Sequence, residues 1–423
     1  MNLVTDGTRV DATSYRRRVI VATSIGNALE WFDFVVYGFL AVTMAKLFFP
    51  ASDQVASLLL TFGTFGVTFL LRPLGAILIG AYTDRRGRKP ALTLTITLMM
   101  VGTGIMATVP TYSSIGVWAA LTVIAARMMQ SLSAGGEYGA ATAFLVEQDP
   151  TRRGFLASWQ YASQSLTTIL ATGFGAGLSN VLTAEQVEAW GWRIPFVFGL
   201  LIGPVAYYIR RRLDETPQFT AMPAPRAPIR RIIAGYKHRI VLCIGVIAVS
   251  SINVYTTLFM PTFAIKQLGL PPSVAYLGGL LTGTFQLILI PVVGWLSDRY
   301  GRTLMPLGAA VAVLLLIYPM FAWMVAVPAL STLLIVQCVL GTLNALYLGC
   351  QAGLISELFP TRLLGSGLSI GNALAVTIFG GFAPFIAVLL IAVTGSPLAP
   401  SFYLMFGAAI SLVALIGVRR LGL

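Results

Sequence analysis

The chain has one histidine, His238, in 423 residues, and three cysteines, Cys243, Cys338 and Cys350. Charge is scarce too: Asp, Glu, Lys and Arg make up 10% of the chain, and only 15 residues are acidic. Each shortage excludes something. The cysteines all fall inside apolar runs, so they read as small buried hydrophobes, with no disulfide framework and no zinc spacing. No metal and no cofactor is expected. No nucleophile–base set points to an enzyme, and no soluble catalytic or signalling domain is present. With 57% hydrophobic residues and a mean hydropathy of +0.83, the composition is that of a polytopic membrane protein. The formal charge of +13 would suggest nucleic acid in a soluble protein. Here the basic residues stand between apolar runs and read as topology signals, so no nucleic-acid partner is expected.

Twelve apolar runs are present, at about 19–47, 55–82, 90–109, 114–146, 154–180, 192–211, 239–265, 273–297, 303–325, 330–356, 364–393 and 400–418. Each is about long enough to cross a bilayer as a helix. None shows the ten-residue alternation of a membrane barrel. No small-residue cleavage site follows the first run, which is expected to be retained. The fold class is therefore an all-α membrane protein with twelve transmembrane helices. With the N-terminus placed inside, 23 of the 28 Lys and Arg residues fall on inner segments. Only Lys46, Arg193 and Lys266 fall outside, while Arg72 and Arg127 lie within membrane runs. The positive-inside rule then puts both termini in the cytoplasm. The segment 212–238, rich in proline and arginine, reads as a cytoplasmic linker between a bundle at 1–211 and a bundle at 239–423.

Two motifs repeat at half the chain length. Gly80–Lys89 and Gly294–Thr303 both read G-x-x-x-D-R-x-G-R, 214 residues apart. Glu147–Arg152 and Glu357–Arg362 both read E-x-x-P-T-R, 210 residues apart. Two six-helix halves of the same orientation follow, with a substrate site expected at their interface near the midplane.

The loop motif after runs two and eight resembles the signature of the major facilitator superfamily. "GNALEWFDF", "RPLGA", "RMMQSLSAGGEYG", "WGWRIPF" and "ELFPTR…GLSIGNALAVTIFGG" resemble its metabolite:proton symporter branch, and within it the citrate and tricarboxylate symporters. The resemblance implies alternating access, proton coupling, a small organic solute and a bacterial-type inner membrane. A monomer in the bilayer is expected. It also implies a gating role for Asp84, Arg85 and Arg88, and for Asp298, Arg299 and Arg302. Thr303 replaces the final base of the second copy, which is expected to latch more weakly.

The membrane runs of the first half hold Glu30 and Asp33 on run one, Arg72 on run two, and Arg127 and Glu137 on run four. A carboxylate at the bilayer centre costs at least ~2.5 kcal/mol, so such groups should face a cavity or pair with one another. Glu30, Asp33 and Tyr37 fall at i, i+3 and i+7 and are expected to share one cavity-facing arc. With no membrane histidine, Glu30, Asp33 and Glu137 are the candidate proton carriers. The candidate substrate contacts are Arg72, Arg127, Asn27, Gln130, Tyr138, Tyr161 and Gln164 in the first half, and Asn344, Tyr347 and Gln351 in the second. Plainer readings compete: Asp33 with Arg127 as a structural pair, Arg72 bonding carbonyls freed by Pro73, Glu137 as a cap-like partner of backbone, and Asn and Gln as glue between helices.

The expected function is proton-driven import of a di- or tricarboxylate, citrate favoured, with Arg72 and Arg127 supplying anion affinity. Two alternatives are weighed. The first is a betaine or proline symporter of the same branch; the resemblance implies a long C-terminal coiled-coil extension in the osmosensing members, whereas this chain stops at "RRLGL". A drug–proton antiporter would carry a Gly-Pro motif in helix five, whereas "SQSLTTILATGFGAGL" has no proline.

Overall fold

Each of the twelve apolar runs is helical. A computed structural model describes residues 3–5, 8–10, 12–86, 88–135, 137–211, 235–360 and 363–422. Two short strands, Leu3–Thr5 and Thr8–Val10, pair antiparallel ahead of the helices. Span one is Ala12–Phe39 with Ala41–Phe48, span two Gln54–Phe69 with Leu71–Arg86, and span three Arg88–Thr108. Span four is Val117–Ala134 with Glu137–Glu147, span five Arg153–Val181, and span six Arg193–Arg211. Span seven is Lys237–Lys266, span eight Pro272–Tyr300, span nine Leu304–Ala326, and span ten Leu330–Ser356. Span eleven is Leu364–Ala375 with Ala383–Thr394, joined by a π-helical turn at Val376–Gly380, and span twelve is Ala399–Arg420. Among the described residues, eight helices are by themselves long and apolar enough to cross a membrane, and span one adds a ninth across its 75° bend.

The breaks follow from local chemistry. Span two is interrupted at Leu70, and Pro73 explains why: its ring has no N–H for the carbonyl of Phe69 and crowds it. Span four is interrupted at Gly135, where a side chain would collide with span two. Span seven begins at Lys237, so Lys237 and His238 belong to a helix and not to the expected linker 212–238. Residues 212–234 of that linker lie outside the described residues.

Spans one to six pack among themselves, as do seven to twelve, and the two groups meet most extensively along spans five and eight. Ser158, Ser165 and Thr172 of span five, at seven-residue spacing on one face, meet glycines of span eight along this seam. A Cβ at Gly279 would stand 2.5 Å from Thr172, one at Gly294 2.7 Å from Ser158, and one at Gly283 3.1 Å from the Ser165 carbonyl. Lipid supplies no hydrophobic drive between helices, so small residues that let backbones approach do the work of association.

Candidate functional site

A narrow pocket lies between the two groups. Asn27, Glu30 and Trp31 of span one line it, with Arg72 of span two, Ala134, Gly135 and Tyr138 of span four, and Asn372 and Ala373 of span eleven. It has room for little more than a water molecule. Arg72 reaches it because spans two and four touch backbone to backbone. A Cβ on Gly75 would stand 2.2 Å from the Leu132 carbonyl oxygen, and one on Gly135 2.1 Å from that of Arg72.

The Arg72 guanidinium is buried among rings, 4.1 Å from the Phe69 centroid, 4.7 Å from Phe34 and 5.0 Å from Trp31. Its Nε and Nη2 have no hydrogen-bond partner. Ring faces hold the cation but leave Nε and Nη2 open, the edge a carboxylate takes up bidentately. The plainer expectation, that Arg72 bonds carbonyls freed by Pro73, is not what is seen. The Phe69 carbonyl accepts from the Thr377 hydroxyl instead, at 2.9 Å.

Asp33 departs from the shared arc expected of it. Glu30 lines the pocket, whereas Asp33 turns into the first group of helices. Its Oδ2 accepts from the Thr103 hydroxyl of span three and from Gln130 Nε2 of span four at 3.1 Å. Arg127 and Asp33 form no ion pair. Arg127 Nη1 donates to the Asp33 backbone oxygen and to Gln130 Oε1, both at 3.2 Å. Arg127 is wholly buried against Phe34, Tyr37 and Phe65, with its Nε and Nη2 unpartnered. The side chain of Glu137 lies outside the described residues.

Several neutral candidates are already engaged elsewhere. Asn27 lines the pocket, but its Nδ2 donates to Ser163 Oγ at 2.7 Å and to the Gln160 carbonyl at 2.9 Å, and its Oδ1 accepts from Gln160. It braces span one to span five. Gln130 is committed to Asp33, Thr103 and Arg127, away from the pocket. Tyr347 donates to the Val246 carbonyl at 2.6 Å within its own group. Gln164 is half-buried on span five and is not part of the pocket lining. Tyr138 does line it, and its hydroxyl shares a hydrogen bond of 2.8 Å with that of Tyr161. Tyr161 in turn accepts from Gln351 Nε2, which joins span five to span ten. Asn344 is buried with its Nδ2 unpartnered.

The profile of the Major Facilitator Superfamily matches residues 23–384. The chain belongs to that superfamily. It is a multi-pass membrane transporter and not an enzyme, built as two six-helix bundles. The transporter is 37% identical over 412 residues to the citrate-proton symporter of Klebsiella pneumoniae, covering 96% of this chain and 93% of that one. It is 31% identical over 419 residues to the proline/betaine transporter of Salmonella typhimurium, covering 96% of this chain and 83% of that one. Its fold matches the solved structure of the proton:xylose symporter XylE with a TM-score of 0.78 at 14% identity, covering 97% of this chain and 96% of that one.

The transporter's two bundles touch at both ends of the pocket. At one end, Asp298 of span eight accepts from the backbone N–H groups of Gly154 and Phe155, at 2.8 and 2.9 Å, across the bundle boundary. A carboxylate at the opening turn of span five satisfies orphan donors and the helix dipole together. Arg302 holds that carboxylate at 2.7 Å and also bonds Glu357. Arg299 does not join this latch: it is exposed, 4.0 Å over the ring of Trp295 on its own helix. The side chains of Asp84, Arg85 and Arg88 lie outside the described residues. At the other end, the Tyr276 hydroxyl donates to the Phe39 carbonyl at 3.1 Å, at the bend of span one. Phe382 also covers Gly66, where a Cβ would come within 2.5 Å of its ring.

Three participants escaped the sequence reading of the site: Trp31, Thr103 and Thr377. Asn372, one of the neutral polar residues inside the second half, carries a signal of its own. The hexapeptide Ser24–Leu29 recurs letter for letter at Ser369–Leu374, and it places Asn27 and Asn372 on the same pocket.

Proposed function

We propose that the transporter is a proton-coupled symporter that imports an organic anion, a di- or tricarboxylate with citrate favoured, by alternating access of its two bundles. The observation that carries the reading is Arg72, a pocket-lining guanidinium fixed by three rings, with Nε and Nη2 open and no carboxylate bonded to it among the described residues. Buried guanidinium donors left open are costly, and an anionic substrate lowers that cost. The identity to a citrate-proton symporter supports the same substrate class. Asn372, in the lining from the second bundle, supplies an amide that has no hydrogen-bond partner among the described residues, so it joins Arg72 and Tyr138 as a proposed substrate group, with Tyr161 and Gln351 bonded in line behind the Tyr138 hydroxyl. Arg127 acts behind the pocket. Glu30 and Asp33 are the proposed proton carriers.

The protein sits in the inner membrane as a monomer with both termini and the segment 212–238 in the cytoplasm, following the 23-to-3 distribution of Lys and Arg. That places the Asp298 latch on the cytoplasmic side. A zwitterion such as proline or betaine is the second reading, favoured by Glu30 beside Arg72 in one pocket. Against it, the Trp31 ring that would receive a quaternary ammonium is already faced by Arg72.

The test is uptake by proteoliposomes under an inward proton gradient, with citrate, a dicarboxylate and betaine compared, beside thermal stabilisation of the purified protein by each. Accumulation of citrate or the dicarboxylate, but not betaine, supports the reading. Stabilisation and accumulation with betaine alone would overturn it.

A further inference from the structure

Gln130 is buried where it touches three partners at once. Its Oε1 accepts from Arg127 Nη1, and its Nε2 donates to Asp33 Oδ2 and to Thr103 Oγ1, at 3.2, 3.1 and 3.2 Å. Chemistry leaves this amide one orientation. A guanidinium only donates, so it must meet the amide oxygen; an ionised carboxylate only accepts, so it must meet the NH2. Gly102 makes the space, since a Cβ there would stand 2.7 Å from Gln130 Cγ.

The groups around Asp33 are few. Span three brings Thr103, whose hydroxyl also donates to the Met99 carbonyl. Span four brings Arg127 and Gln130, and span six brings Gly199, where a Cβ would stand 2.6 Å from Asp33 Oδ1. On span one, Tyr37 faces Arg127, and Glu30 turns to the pocket. Arg127 is thus the one charged side chain among the described residues that faces Asp33.

We propose that Gln130 is a positioning residue that transmits the protonation of Asp33 to Arg127 through the orientation of its side-chain amide. The proposal rests on the proton-coupled anion import argued above. A proton arriving from water on the Asp33 carboxyl converts one of its oxygens from acceptor to donor. The NH2 of Gln130 then faces a donor, and a half-turn of the amide repairs the contact by presenting Oε1 to Asp33. The same half-turn presents NH2 to Arg127, whose Nη1 loses its side-chain acceptor and joins the already open Nε and Nη2. The ring of Phe34 lies 4.6 Å from the Arg127 guanidinium and 4.7 Å from that of Arg72. A contiguous path therefore runs from Asp33 through Gln130, Arg127 and Phe34 to the pocket, with the amide as its two-state element. Protonation frees cationic donors behind an anion site, so proton and anion favour each other's binding, as symport requires.

The competing acceptor for the Asp33 proton is Thr103 Oγ1, and the experiment separates the two. Proton uptake on binding of citrate to the purified protein is measured by calorimetry in buffers of different ionisation enthalpy. Citrate's own titration is common to every variant, so differences between variants report the protein. The wild type is expected to take up about one proton per anion beyond citrate's own. Gln130→Met should bind citrate within about threefold of the wild type but take up none of that extra proton. Gln130→Asn, too short to touch Asp33 and Arg127 together, should behave alike. Thr103→Val should keep the wild-type uptake. Wild-type uptake in Gln130→Met, or its loss in Thr103→Val alone, would overturn the relay. If both Gln130 variants fail to fold while Thr103→Val folds, Gln130 serves packing and the proposal is wrong. A wild type that binds betaine and no carboxylate would refute the substrate reading instead, a separate outcome.

Discussion

The Thr377 hydroxyl donates to the carbonyl oxygen of Phe69 at 2.9 Å, across the boundary between the two bundles. That carbonyl stands four residues before Pro73, which has no N–H to offer it. A proline in one bundle thus creates an acceptor that a threonine in the π-helical turn of the other bundle satisfies. Thr377→Val should leave the carbonyl without a partner and weaken the contact by about 1 kcal/mol. The expected readout is faster labelling by a thiol reagent of a cysteine placed at Gly63, where a Cβ would stand 3.6 Å from the Phe385 ring of the other bundle, with little change in citrate binding. Unchanged labelling would show that the bond does not hold the bundles together.

Gly135→Ala tests how Arg72 is delivered to the pocket. The new Cβ would lie 2.1 Å from the Arg72 carbonyl oxygen, and backbone cannot yield as a flexible side chain does. Overpacking of this kind costs about 1–3 kcal/mol or more. Spans two and four should separate, lowering the melting temperature and abolishing citrate binding together. Retained affinity would mean that Arg72 does not depend on this contact.

Arg72→Lys keeps the charge and loses the planar fork that stacks on Phe69 and Phe34. Citrate affinity should fall about tenfold or more, which equals about 1.4 kcal/mol. Asn372→Asp places a second carboxylate in the lining and should weaken citrate further than Asn372→Ala does. Binding constants for the three variants check the order. Equal effects of Asn372→Asp and Asn372→Ala would remove Asn372 from the substrate contacts.

Glu30→Gln and Asp33→Asn separate proton carriage from structure. Exchange of labelled for unlabelled substrate needs no net proton return, whereas uphill accumulation does. At least one variant should keep counterflow and lose gradient-driven accumulation. If both accumulate substrate normally, the carrier is another group. If both fail to fold, the carboxylates are structural.

Asp298→Asn weakens a cap that spans the bundles, and Arg299→Ala removes a side chain that only lies over Trp295. The first should shift the transporter toward opening at that end and raise protease sensitivity near Gly154. The second should leave both transport and proteolysis unchanged. A strong effect of Arg299→Ala on transport would restore it to the latch.

The sequence by itself determined the membrane class, the twelve helices, the two-bundle repeat and the superfamily. These depend on signals written locally or at fixed spacing: apolar length, two repeated motifs, and Gly and Pro where a helix breaks. It also named the charged residues that lipid makes costly, because a carboxylate or guanidinium in an apolar run needs a reason. Only the tertiary structure decided what each of them faces. Glu30 and Asp33 are one helical turn apart, yet one lines the pocket and the other turns to Thr103 and Gln130. Helical periodicity groups residues to within a broad arc, and the boundary between pocket and bundle interior falls inside that arc. Asn27 and Asn372 occupy identical hexapeptides, but Gln160 and Ser163 engage the first, while the second has no partner among the described residues. Which amide is left for a substrate depends on a neighbour more than a hundred residues away, a fact that exists only once the helices have packed.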